Sequence, residues 1–237
     1  MNIKDCYNLV LYGDSISKGV VYDEIKGRYV VLKESFANII ADNLKGVMYN
    51  LGKFGNNIIR GAQKLETDVL KRNPDIVFIE FGGNDCDFDW DAIAANPEGN
   101  YLPKTELSTF ESTLNNIIDY FKKLNIFPVL MTLPPLDSNR YFKWVCKNDS
   151  KAEDNVRQWL GDINRIFHWQ EQYSVKVEET ARKNNIELID VRNAFLNQKE
   201  YNRYLCIDGI HPNKEGHKII ADKVMEYLNS NLRFLLR

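Results

Sequence analysis

Short apolar runs that stop abruptly on glycine and small polar residues constrain this chain more than any other feature. Tyr7-Asn8-Leu9-Val10-Leu11-Tyr12 ends at Gly13-Asp14-Ser15. Val47-Met48-Tyr49-Asn50-Leu51 ends at Gly52-Lys53-Phe54-Gly55-Asn56-Asn57, and Ile76-Val77-Phe78-Ile79-Glu80-Phe81 at Gly82-Gly83-Asn84-Asp85. Two further runs, 126–132 and 187–191, complete five strand-sized segments. Between them the apolar residues fall at helical spacing. Phe36, Ile39, Ile40 and Leu44 mark a helix over 33–45, Ile58 to Leu70 another that stops at Asn73-Pro74, and Phe110 to Phe121 a third that starts from Thr105 as N-cap. Ile166, Trp169, Tyr173, Val177 and Ala181 mark a fourth, and Ile220, Val224, Tyr227 and Leu228 a last one.

Strands that alternate with helices require a parallel sheet covered on both faces. All strand carboxyl ends then emerge on one edge, where open α/β sheets bind ligands. With 237 residues and no repeat, linker or low-complexity tract, the expectation is one domain over 1–237.

Composition serves mainly to exclude. A net charge of −2 gives no electrostatic argument for nucleic acid or an anionic membrane as partner. Cys6, Cys86, Cys146 and Cys206 show no CxxC or Cys/His ligand spacing, so reduced, buried thiols are expected rather than a zinc site or a disulfide framework. The residues from Met1 to Cys6 lack the apolar stretch of a signal peptide. No segment approaches the roughly 18 to 20 apolar residues of a membrane span. A cytoplasmic location without membrane contact is the expectation, and the oligomeric state is open.

Chemistry can be assembled from groups that this topology sends to the same edge. Ser15 sits on a Gly-containing turn directly after a strand, but a serine hydroxyl is a poor nucleophile unless a base takes its proton. Three histidines could be that base: His168, His211 and His217. His211 follows Asp208 by three residues, a spacing at which the carboxylate can hold the imidazole's other nitrogen and fix its tautomer. The Ser15 amide, a glycine amide of the second loop and the Asn84 side chain could converge on an oxyanion. Asp14 and Asp85 read as loop-stabilising acceptors, and His168 and His217 as surface or packing residues.

These blocks, Gly13-Asp14-Ser15, Asn50-Leu51-Gly52-Lys53-Phe54-Gly55, Gly82-Gly83-Asn84-Asp85 and Asp208-Gly209-Ile210-His211-Pro212, resemble the four sequence blocks of the SGNH (GDSL-type) hydrolases, in that family's order and across the chain. Ile16 stands where the family's short name carries leucine. The resemblance implies a three-layer α/β/α sandwich, flavodoxin-like, with a mainly parallel five-stranded sheet. It implies carboxylic ester hydrolysis through an acyl-enzyme, without metal or other cofactor. It assigns the triad to Ser15, Asp208 and His211, and the oxyanion hole to Ser15, Gly55 and Asn84. Gly52 reads instead as a turn former. A Gly-x-Ser-x-Gly elbow is absent, since Ser17 lies two residues past Ser15, which disfavours the α/β-hydrolase fold.

Residues 86–104 and 136–165 are long, aromatic-studded segments that should hang over the catalytic edge, the second as a lid or insertion. Trp90, Tyr141, Phe142, Trp144 and Trp159 either line a binding site, with Trp90 and Trp144 as the substrate-binding candidates, or bury one another as a satellite core. For substrate, the lack of a signal peptide and of a broad apolar stretch sets the expectation of a small soluble or carbohydrate-borne ester, an acetyl ester first. The alternatives are a lysophospholipase or thioesterase, a non-catalytic ligand-binding module, and a metal-dependent phosphoesterase using Asp14, Asp85 and Asp208.

Overall fold

A computed structural model describes residue 4 and residues 6–237. Met1 to Ile3 and Asp5, which carry much of the expectation about a signal peptide, lie outside the described residues. In chain order the elements are β1 (Asn8–Gly13), α1 (Ser15–Lys18), β2 (Val20–Asp23), β3 (Arg28–Val31), α2 (Phe36–Asn43), β4 (Val47–Asn50), α3 (Ile58–Ala62), β5 (Ile76–Glu80), α4 (Trp90–Ala95), α5 (Leu107–Lys123), β6 (Phe127–Met131), α6 (Ser138–Val145), α7 (Ser150–Leu160), α8 (Arg165–Asn184), β7 (Glu187–Ile189), α9 (Val191–Leu196) and α10 (Lys214–Asn231).

The five expected strands form one parallel sheet in the order β4-β1-β5-β6-β7. This is the flavodoxin-like order, whose direction reverses beside the first strand. β1 and β5 pair from Leu9↔Ile76 to Gly13↔Glu80, so the loops after them leave the sheet side by side.

Alternation along β1 explains the three layers. Leu9 and Leu11 point to one face and pack with Phe36 and Ile40 of α2, Phe195 of α9, and Ile220 and Val224 of α10. Val10 and Tyr12 point to the other and meet Ile58 of α3, Ile117 and Phe121 of α5, and Val177 of α8. Each such side chain contributes about 1.5–3 kcal/mol through the apolar surface it removes from water.

Several local expectations change. Helix α5 is capped by Glu106, not Thr105; Thr105 is buried, donating its N–H to the Asp85 carbonyl and accepting the Tyr173 hydroxyl on its own carbonyl. After α3 the helical path continues through a wide turn at Leu65–Val69 and a tight one at Leu70–Arg72, instead of one regular helix. Segment 86–104 contains α4, capped by Asp89, and segment 136–165 contains α6 and α7, capped by Asp137 and Asp149. These three short helices and the start of α8 enclose a third apolar cluster, with Phe88, Trp90, Ile93, Phe142, Val156 and Leu160 among its buried members. An antiparallel hairpin, β2–β3, stands apart from the main sheet. All four cysteines are free thiols; Cys86, Cys146 and Cys206 are buried, whereas Cys6 is exposed. Among the described residues no helix is long and apolar enough to cross a membrane.

Candidate active site

The loop after β1 is built for close approach. A side chain at Gly13 would place its Cβ 2.2 Å from the Glu80 carbonyl oxygen, so only glycine lets β1 run on to Asp14 beside β5. Asp14 then caps α1, its Oδ1 accepting the Ile16 N–H at 2.9 Å. This places Ser15 in the first turn, where backbone N–H groups have no partner inside the helix.

Ser15, His211 and Asp208 form a continuous hydrogen-bonded chain. The Ser15 Oγ lies 2.9 Å from His211 Nε2, and His211 Nδ1 lies 2.6 Å from Asp208 Oδ2. Asp208 Oδ1 accepts the backbone N–H groups of Ile210 and His211, both at 3.1 Å, which folds the loop around the carboxylate. Burial works to raise the Asp208 pKa, but the bond to His211, its charge and the two backbone donors outweigh this and hold the group below the usual carboxylate range. A fourth donor, the Tyr29 hydroxyl of β3, reaches Oδ2 at 3.0 Å.

Asn84 leaves the end of the β5 segment with its side chain over Asp14, donating from Nδ2 to Asp14 Oδ2 at 3.0 Å. The amide carries a second N–H, and Asn84 lines the same cavity as Ser15. Gly55 lines that cavity too. Its φ of 67° is a left-handed conformation, and its N–H meets no acceptor among the described residues. Gly52 is different, because its N–H is taken by Asn50 Oδ1 at 2.9 Å. The structure therefore brings Ser15, His211, Asp208, Asn84 and Gly55 to one place and leaves Gly52 in a packing position.

Three buried carboxyl groups support this arrangement from below. Glu80 Oε2 accepts the Ser17 hydroxyl at 2.8 Å; burial, then the neighbouring Asp14 charge, pushes the Glu80 pKa well up. Burial likewise raises Asp14. Both oxygens of Asp85 face the Ile58 N–H, at 3.1 and 3.2 Å, and burial pushes its pKa up to about 7. The three aspartates of the phosphoesterase alternative thus serve separate partners, and among the described residues no three His, Cys, Asp or Glu side chains are grouped to hold a metal ion. His217 is buried against Phe36, with rings stacked 5.8 Å apart, and burial lowers its pKa to about 4. His168 is exposed beside Glu171.

A cavity of about 1080 Å³ extends from Ser15 towards the third apolar cluster. Trp90 and Trp144 both line it but are held differently. Trp90 is buried, and its Nε1–H donates to Asp87 Oδ1 at 2.6 Å; that oxygen also accepts the Tyr141 hydroxyl at 2.6 Å. Trp144 is half-buried and packs edge-on to Tyr22 at 4.8 Å and to Tyr29 at 6.2 Å, on the His211 side. Tyr29 and Asp87 were not among the sequence candidates. The hairpin that carries Tyr29 has a local signal, two β-branched and aromatic runs around Gly27, but nothing local links it to Asp208, 179 residues away.

Comparison with known proteins gives a consistent picture. The model of the "GDSL-like Lipase/Acylhydrolase family" matches residues 11–219. A GDSL esterase/lipase of Oryza sativa subsp. japonica is 23% identical over 182 residues, 75% of this chain and 63% of its own length. An uncharacterized lipoprotein of Bacillus subtilis is 29% identical over 167 residues, 67% of this chain and 64% of its own. The chain thus spans less than two thirds of the length of these curated relatives. Among solved structures, a lipase/acylhydrolase from Enterococcus faecalis aligns with a TM-score of 0.69 at 21% identity, covering 94% of this chain and 96% of its own. An acetylxylan esterase from Geobacillus stearothermophilus aligns at 0.66 with 21% identity and 95% of each chain. Both share the three-layer fold.

Proposed function

The chain belongs to the GDSL-like lipase/acylhydrolase family, and we propose that it is a serine hydrolase that cleaves carboxylic esters through an acyl-enzyme. The observation that carries this reading is the unbroken chain from Ser15 Oγ to His211 Nε2 at 2.9 Å and from Nδ1 to Asp208 at 2.6 Å, opening onto a cavity. His211 takes the Ser15 proton as Oγ attacks the ester carbonyl. The N–H groups of Ser15 and Gly55 and the remaining Asn84 N–H donate to the oxyanion. On collapse the C–O bond to the alcohol breaks, and His211 returns its proton to the leaving oxygen. A water molecule, deprotonated by His211, then releases the acid and restores Ser15.

For substrate we favour an acetyl or other short acyl ester on a carbohydrate or similar small alcohol. Support comes from the cavity wall, where aromatic faces of Tyr29, Trp144 and Tyr101 stand among carboxylates and Asn100, groups suited to the apolar faces and hydroxyls of a sugar. The Geobacillus neighbour, described as an acetylxylan esterase, points the same way. The test is a series of p-nitrophenyl esters from acetate to palmitate beside acetylated xylooligosaccharides, with Ser15→Ala as control and EDTA present. Preference for acetate, lost in Ser15→Ala and indifferent to EDTA, is expected. A palmitate optimum would reject the substrate reading; full activity in Ser15→Ala, or its loss in EDTA, would reject the mechanism.

A further inference from the structure

Asp208 has one more hydrogen-bond donor than holding His211 requires. The extra one comes from the hairpin, which starts just after Gly19, the C-terminal cap of the short helix that carries Ser15. The chain runs out along β2, reverses through Gly27 at a φ of 61°, and returns along β3 to place Tyr29 over the last loop of the site. The Tyr29 hydroxyl donates to the same Asp208 oxygen that faces His211 Nδ1, and its ring lies 5.0 Å from the imidazole. Phe54, next to Gly55, continues the contact, with its ring nearly parallel to His211 at 6.1 Å and 5.2 Å from Tyr29. Two aromatic side chains, in contact with each other, thus pack against His211, and one of them also grips its carboxylate.

We propose that Tyr29 is a positioning residue of the triad: its hydroxyl shares the charge of Asp208, and its ring fixes the plane of His211. The inference rests on the serine-hydrolase reading. An Oδ2 divided between two donors gives less of its negative charge to the imidazole. His211 meanwhile stays locked in the tautomer with its free nitrogen towards Ser15. Tyr29 remains a donor throughout, because burial and then the Asp208 charge raise its pKa.

The other titratable groups around this pair are Asp14 and His217, which interact with His211, and Cys206, which feels the charges of Asp208, Glu24 and Arg140. Tyr29→Phe alters none of them and keeps the ring. In Tyr29→Phe the Asp208 charge falls more fully on His211, which should titrate at higher pH. The expected shift is about half a pH unit to one unit, a three- to tenfold rise in proton affinity. Two measurements read it. One is the acid limb of the kcat/KM profile on p-nitrophenyl acetate, which should move up. The other needs no substrate: the NMR titration of His211 in the intact protein, followed through its Nδ1–H resonance. If both midpoints match the wild type in a folded Tyr29→Phe, the proposal is wrong and Tyr29 merely packs there. If wild-type protein hydrolyses no ester, the serine-hydrolase reading fails, and the NMR midpoint still decides the role of Tyr29.

Discussion

Replacing Asp208 by asparagine changes one atom's chemistry and almost no volume, and the surrounding bonds dictate how the amide must sit. Oδ1 accepts two backbone N–H groups, from Ile210 and His211. The amide oxygen must stay in that position, since an NH₂ there would face two donors. The NH₂ is therefore directed at His211 Nδ1 and the Tyr29 hydroxyl. The imidazole can accept from it only through an unprotonated Nδ1, which moves its proton to Nε2, the atom 2.9 Å from Ser15 Oγ. A protonated Nε2 cannot act as the base. The wrong tautomer in an intact triad costs about 10⁴ in kcat, or about 5 kcal/mol of transition-state stabilisation. Hydrolysis of p-nitrophenyl acetate at neutral pH, beside a thermal melt, measures it. Activity within tenfold of wild type in a folded Asp208→Asn would refute the argument that Asp208 sets the His211 tautomer.

Asn84→Ala removes the side-chain oxyanion donor and should lower kcat by about 10²–10³ with little change in KM; an equal rise in KM instead would mean that Asn84 binds ground state and transition state alike. The two tryptophans of the cavity should separate. Trp144→Ala is expected to raise KM with Tm nearly constant, whereas Trp90→Ala, which empties a buried position and strips a donor from Asp87, should cost about 3–5 kcal/mol in a denaturant melt. Asp85 carries a pH signature in stability. Its folded pKa, about 7, lies above its unfolded value, so the native state keeps a proton that the unfolded chain has lost, and wild-type stability falls as pH rises from about 4 to 7. Asp85→Asn, which still offers an oxygen to Ile58, should gain on the wild type over that interval by up to about 4 kcal/mol and stay level above it; parallel melting curves across the interval would show that Asp85 is ionised in the fold.

How much of this is legible in the sequence follows from how local each signal is. The runs at 7–12 and 76–81 are covered on both faces, so their composition alone marks them as central strands, whereas 47–51 forms the half-exposed edge strand β4; the glycine endings of all three mark the edge where the site lies. The Asp208 and His211 pairing is contained in four residues, and it is a bond between neighbours in the structure as well. Ser15 and Asn84 are marked by the strand ends that carry them. The rest depends on tertiary partners. Tyr29 acts on a residue at the far end of the chain. Glu80 sits inside an apolar run, where nothing nearby reveals that it faces Asp14, whose charge together with burial raises its pKa. The helices in 86–104 and 136–165 are short, capped by Asp89, Asp137 and Asp149, and stabilised mainly by one another, so their apolar periodicity was too brief to read. Thr105 has an N-cap's side chain, but its backbone was committed to Asp85 and Tyr173.

The central claim is that Ser15 is a nucleophile made reactive by His211. A fluorophosphonate probe tests it directly, because such a probe is attacked only by an activated hydroxyl. Peptide mapping after brief exposure should place the adduct on Ser15, with no labelling in Ser15→Ala and strongly slowed labelling in His211→Ala. Labelling that persists in Ser15→Ala, or that proceeds at the wild-type rate without His211, would contradict the account.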